Sequence, residues 1–289
     1  MTSATLTQED GVIGLLARVS RSVTGLVGMI IVALVILTAA FAPFLSPHDP
    51  DAIDVLNRFA GPSLKHWLGT DHLGRDLASR LMHGSTVAMG VALAAISVAV
   101  VVGTTLGVIA AYMPSRWERI VLIIFDVILS FPSLILALAI VAVFGPSTTM
   151  VVAIVAFTLM PQFGRVARAQ VLTLKTAPFL EAERILGASH LRIILSHILP
   201  NIVGPLVVLA SMDIPVVITI EAGLSFLGLG VRPPQSSWGT LIQDGYQYLS
   251  DSWLPVTVAS VSLGVATLGF TLFGEALRDA ADPRLSKGH

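Results

Sequence analysis

Six apolar runs constrain this chain more than anything else in it. They cover residues 23–45, 86–112, 120–144, 148–163, 202–224 and 254–273, and four of them contain no charged residue. About 20 helical residues, rising ~1.5 Å each, cross the ~30 Å hydrocarbon core of a bilayer. Inside that core each backbone N–H and C=O has to find its partner within the segment, so each run is expected as a helix. The expected fold is an all-α polytopic membrane protein with six transmembrane helices. The first run resembles a secretory signal at Ala40, Phe41 and Ala42, but it is too long for a signal core and is read as a retained span.

Composition excludes several functions. Hydrophobic residues make up 54% of the chain and charged residues 12%, far from the balance of a water-soluble domain. With a net charge of -1 no basic stripe is available for nucleic acid. The absence of cysteine removes disulfides, thiolate metal sites and thiol nucleophiles. The seven histidines are scattered, and His190 and His197 share a helix without the carboxylate spacing of a zinc-protease motif. No G-x-x-x-x-G-K-[S/T] loop, G-x-S-x-G elbow or H-E-x-x-H pair occurs. The expected chain is therefore non-catalytic, with no cofactor or metal of its own; if its work needs ATP, another subunit hydrolyses it.

Positive charge sets the orientation. With the N-terminus inside, Arg18, Arg21, Arg116, Arg119, Arg165, Arg168, Lys175, Arg184, Arg192, Arg278, Arg284 and Lys287 fall on the cytoplasmic side. Only Arg58, Lys65, Arg75, Arg80 and Arg232 fall outside. Basic residues favour cytoplasmic loops, so both termini and the loop at 175–201 are expected there. The domain plan is a cytoplasmic tail at 1–22, the first span at 23–45 and an external region at 46–85. A five-span core at 86–276 contains an external loop at 224–253, and a cytoplasmic tail follows at 277–289.

The loop at 175–201 is polar although both neighbours are apolar. Pro178 suits a first helical turn begun at Thr176 or Ala177, and Glu181 lies near the positive end of the helix dipole. Gly187 can take the left-handed conformation that stops this helix. Ser189 can cap a second helix in which Leu191, Ile194, Leu195 and Ile198 form a stripe, with Pro200 as its end.

Glu181, Ala182, Gly187 and the ending Ile198, Leu199, Pro200 resemble the cytoplasmic EAA loop of ATP-binding-cassette importer permeases. Two positions depart from it: Glu183 stands where alanine is usual, and His197 occupies the isoleucine slot. The His197 to Asn201 ending is similar to the dipeptide, oligopeptide and nickel branch. Further matches to that branch are Gly69 to Asp71, Gly74 to Asp76 with Ser79 and Arg80, the stretch 224–242, and Leu277 to Leu285. The resemblance implies a type I importer permease fold in the bacterial cytoplasmic membrane. It also implies a second homologous permease subunit, two ATPase subunits using ATP and Mg, and an external substrate-binding protein. Under it, Phe179, Leu180, Ala182 and Leu186 give a docking helix its contact with the ATPase. Glu181 and Glu183 belong to the motif, Gly187 sets the angle between the two helices, and Pro200 ends the loop.

Two external features go with this reading. Leu73, Leu77 and Leu81 recur at i, i+4 and i+8, with Asp76 and Arg80 on another face, predicting an amphipathic helix at the outer interface. Gly228, Gly230, Pro233 and Pro234 force a turn, and Arg232, Pro233, Pro234 and Trp238 are expected to face the binding protein. Within the spans, Gly103 and Gly107 predict a close helix contact. Pro132 and Pro215 predict a kink or local unwinding.

Charges inside spans are costly, so Asp126, Asp213 and Glu221 need partners. A neighbouring helix, a serine or water would serve. Asp213, with Pro215 two residues on, is expected to line a translocation path together with Glu221. The function that the resemblance implies is ATP-driven import of di- or oligopeptides, with nickel chelates, opines or oligosaccharides as alternative cargo. A secondary transporter driven by an ion gradient is the reading from another class. Against it, the spans hold few embedded acids, and no broken helices occupy matching positions in two halves.

Overall fold

The computed structural model describes residues 12–281, so the ends of both expected tails lie outside the described residues. No β-strand occurs among the described residues. A short helix α1 (Val12–Val19) leads into α2 (Val23–Leu45), whose first turn is capped by the Ser22 side chain accepting the Gly25 N–H. A polar loop follows, and then α3 (Leu77–Tyr112), α4 (Ser115–Ser130), α5 (Ser133–Phe144) and α6 (Thr148–Lys175). The remaining helices are α7 (Pro178–Ile185), α8 (His190–Ile193), α9 (Leu199–Phe226), α10 (Trp238–Gln247) and α11 (Leu254–Ala281).

Five of these are long and apolar enough to cross a membrane: α2, α3, α6, the continuous rod from His190 to Phe226, and α11. The expected third span is a broken pair, since α4 and α5 meet at 91° across Phe131 and Pro132. With 16 and 12 residues, neither helix alone reaches across ~30 Å of hydrocarbon. Counted as one bent span, the pair brings the candidate crossings to six. Pro132 does more than kink: it stands as the N-cap of a new helix.

The centre of the bundle is α3, which packs along α6 and also against α2 and α9. Gly103 and Gly107 permit the closest of these contacts. A Cβ on either would collide with the carbonyl oxygens of Met160 and Gly164 on α6, so the two backbones touch where the glycine spacing places them. Helices α2 and α11 also approach closely, Gly28 against the Phe273 backbone and Gly269 against the Ile31 side chain.

Three expectations need correction. No separate interfacial helix precedes the second span; Leu73 lies in a turn, and Asp76 caps α3, which runs for 36 residues from Leu77. The stripe faces protein instead of lipid: Leu77 and Leu81 are buried. Pro200 does not end the coupling loop. The chain widens into one π-turn at Ile194–Ile198, where the Leu199 N–H bonds to the Ile194 carbonyl, and helix α9 then runs on through Pro200. Proline has no N–H to donate, and the wider turn just before it accommodates the missing bond. At Pro215, of the kink or unwinding expected there, the unwinding does not occur, since α9 is helical from Leu199 to Phe226.

Candidate functional site

One face of the bundle carries a projecting hairpin. Helix α6 ends at Lys175, and after Thr176 and Ala177 the chain restarts as α7 with Pro178 in its first turn, where no N–H is needed. Helix α7 ends in a Schellman turn: the Gly187 N–H bonds to the Arg184 carbonyl and the Ala188 N–H to the Glu183 carbonyl. Gly187 sits at φ +81°, in the left-handed region. Ser189 then caps α8 by accepting the Arg192 N–H at 3.4 Å.

The hairpin is tied to the bundle at two places, and a third contact closes it on itself. Lys175 donates from Nζ to the Ala111 carbonyl at 2.7 Å and lies 4.7 Å from the centre of the Tyr112 ring. That ring meets His190 edge-on at 5.8 Å. His197 stands 3.7 Å from Glu183 and edge-on to Phe179. Near the same face, Arg168 of α6 pairs with Glu118 of α4 at 2.7 Å, and Arg165 pairs with Asp126. These pairs brace the broken helix and give Asp126 its partner.

Exposure divides the expected docking residues. Leu180 is fully buried in its own chain, so it roots α7 in the bundle and offers no surface to a partner. Phe179, Glu181, Ala182, Leu186 and Gly187 are exposed, and Glu183 is half-buried against His197. Ile185, which the sequence reading did not single out, is 82% exposed, equal to Leu186. The periodic stripe on the second helix is also redrawn. Ile193 and Ile198 are buried, whereas Leu191 and Leu195 are exposed, because the π-turn shifts the helical register between them.

The intramembrane acids have different surroundings. Asp213 on α9 is 7% exposed, and its Oδ2 has no hydrogen-bond partner among the described residues; its polar neighbour is Gln162 of α6. Glu221, two turns further along, is fully buried, and its Oε2, like Asp213 Oδ2, has no hydrogen-bond partner among the described residues. Its Oε1 accepts the Ser225 hydroxyl at 2.7 Å, and Ser225 Oγ accepts the Val231 N–H at 3.1 Å. Glu221 thus anchors the turn that follows α9.

The opposite face is capped by the loop between α2 and α3 and by α10. Ser237 and Thr240 form a reciprocal capping box at the start of α10, a signal present in the sequence but not used there. Trp238 is 3% exposed and donates from Nε1 to the Leu81 carbonyl at 3.2 Å, so it is a packing residue and not part of a docking surface. Arg232, Pro233 and Pro234 are exposed beside it. The expected pairing of Asp76 with Arg80 is replaced by a buried network. Asp76 accepts from Ser79 and meets His66 at 2.9 Å, while Arg80 lies between Asp71 at 3.6 Å and Asp244 at 3.9 Å. Arg75 bonds Asp71 at 2.7 Å. With Asp51 3.7 Å from Arg80, charges from three separate stretches meet here, and apart from the i,i+4 pair Asp71–Arg75 a linear reading had no means of pairing them.

These helices make a polytopic membrane bundle with a short exposed helix rooted at one face and a sparsely partnered carboxylate inside. The chain belongs to the binding-protein-dependent transport system inner membrane components, whose family model matches residues 103–287. The N-terminal transmembrane domain of oligopeptide transport permease C matches residues 15–62. The dipeptide transport system permease protein DppC of Alkalihalophilus pseudofirmus is 38% identical over 269 residues, covering 93% of this chain and 88% of that protein. The nickel transport system permease protein NikC of Escherichia coli is 36% identical over 261 residues, covering 90% and 94%. In fold, the chain is similar to one in the inward facing MetNI methionine ABC transporter. That match has a TM-score of 0.56 at 19% identity and covers 71% of this chain and 96% of that one. The chain is accordingly a multi-pass membrane permease subunit of an ABC importer.

Proposed function

We propose that this permease passes di- or oligopeptides across the bacterial cytoplasmic membrane, with α7 as the lever on which two ATPase subunits act. The observation that carries the reading is the form of the lever. Its far side, at Phe179, Ala182, Ile185 and Leu186, is open, while Leu180 and Lys175 tie it to the bundle. A push on α7 is passed through the Gly187 turn and the π-turn into α9, the helix that holds Asp213. This is rigid-body transmission through packed helices.

In this proposal α7 and both termini are cytoplasmic, and Arg232, Pro233 and Pro234 face the external binding protein. The exposed apolar faces of α4 and α5, among them Ile123, Ile124, Ile135 and Val143, offer a surface for a second homologous permease. Asp213 lies beside the route at the interface of the two permeases and meets a cationic part of the cargo, such as a peptide amino terminus. The chain itself holds no nucleotide, and ATP with Mg works on the partner subunits.

Peptide cargo is supported by the dipeptide permease relative, and the nickel permease relative supports the second reading, a nickel chelate. The two separate in one experiment. Cells lacking this chain are complemented with it, and uptake of a labelled dipeptide and of radioactive nickel is compared. Restoration of dipeptide uptake is the expected result, and restoration of nickel uptake alone overturns the peptide assignment. Uptake by the purified chain alone in vesicles, driven by an ion gradient, would sink the ABC mechanism.

A further inference from the structure

The chain has an apolar cavity that the transport reading does not use. It has a volume of about 470 Å³ and lies between α2, α3 and α11, in the half of the bundle remote from α7. Leu34, Val35 and Thr38 of α2 form one wall, and Val261, Val265 and Ala266 of α11 form another. Trp67 and Trp238 close its end at the face opposite the lever. Two of the hydroxyls on its wall already have acceptors in their own helices: Ser85 donates to the Met82 carbonyl and Ser262 to the Val258 carbonyl. The lining therefore offers little to water, which needs several polar partners to stay in a cavity.

The rim shows what medium the cavity opens to. Leu34, Val261 and Val265 are all exposed, at 60%, 58% and 46%, and they continue the outward apolar faces of α2 and α11. Those faces belong to membrane-crossing helices, so hydrocarbon surrounds the rim. The cavity is lined over little more than one turn of α2, from Leu34 to Thr38, and of α11, from Val261 to Ala266. A flexible methylene chain fits. An empty apolar cavity forfeits the dispersion contacts of its walls, and a chain entering from the bilayer restores them.

We propose that this cavity is a binding site for one acyl chain of a phospholipid from the leaflet remote from α7, wedged between α2 and the rest of the bundle. The proposal rests on the membrane placement of the helices and is independent of the cargo. Trp67, 55% exposed at the cavity's end, sits where an amphipathic indole meets the headgroup region.

The four tryptophans make it testable. In full-length chain carrying Trp67→Phe, Trp117→Phe and Trp253→Phe, Trp238 is the remaining indole. This indole is buried from the outer surface and borders the cavity. The protein is reconstituted in phosphatidylcholine vesicles with plain or brominated acyl chains, and Trp238 emission is compared. Loss of most of the emission in brominated vesicles is expected. Thr38→Phe or Ser262→Phe, which fill the cavity from opposite walls, should each restore it. Equal emission in plain and brominated vesicles overturns the proposal, a result that needs no filled variant. So does quenching that persists undiminished in the filled variants that fold. Stronger quenching by aqueous acrylamide than by brominated chains would mean a water-filled cavity, and would also overturn it.

Discussion

At the scale of single residues, backbone conformation and burial decide what each side chain can do. Gly187 has open space around its Cβ position, yet its φ of +81° disfavours a β-branched residue. The left-handed region costs an L-residue roughly 1–2 kcal/mol, less for asparagine. Gly187→Val is therefore expected to uncouple ATP hydrolysis from uptake while the amount of inserted permease stays unchanged, and Gly187→Asn to retain coupling. Paired hydrolysis and uptake assays on the reconstituted transporter read this directly, and normal transport by the valine variant would remove the mechanical role of the turn. Asp213→Asn should alter uptake of charged substrates at constant level of assembled complex. A parallel fall in both would mark Asp213 as structural. Trp238→Ala should cost about 3–5 kcal/mol, the usual range for emptying a buried aromatic site, whereas Arg232→Ala should stay within about 0.5 kcal/mol. Thermal unfolding of the purified chain compares the two.

At the scale of elements, the bundle depends on backbones that approach without side chains between them. Gly103 and Gly107 lie against Met160 and Gly164, while Gly90 on the same helix meets nothing within 4 Å. Gly107→Leu is thus expected to force α3 and α6 apart, at a cost above the ~1–3 kcal/mol of ordinary overpacking, because a carbonyl of the facing backbone cannot move aside. Gly90→Leu should leave the folded yield unchanged. Size-exclusion profiles of the two variants in detergent check this, and equal profiles would show that the contact is not needed. The 175–201 segment was legible as two helices about a glycine because Pro178, Gly187 and Ser189 act on their immediate neighbours. The π-turn was not, since Pro200 permits either an end or a detour, and packing of Ile193, Ile198 and Ile202 into the bundle selects the detour.

At the scale of the whole molecule, sidedness is the property on which the coupling scheme turns. A cysteine placed at the exposed Ala182, in a chain that has no other cysteine, should react with thiol reagents only after they enter the cytoplasm. Labelling by a reagent confined to the outside would put the lever on the wrong face. The same molecule-wide view explains why Leu180 and Trp238 change role. Each looks like a surface residue in its polar local stretch, but α7 folds back on the bundle and α10 inserts beside α3, so both side chains are enclosed.

The order of apolar runs by itself determined that this chain is a helical membrane protein. Local turn chemistry placed the lever, because hydrocarbon demands internally satisfied backbone and because caps act over only a few residues. Only the tertiary structure decided which faces are closed. It set Glu221 against Ser225, placed Asp213 beside Gln162, and brought the buried Asp71 and Arg80 together with the partly exposed Asp244. Burial and charge pairing arise from contacts between segments far apart in the chain, and helical periodicity within one segment carries no record of them.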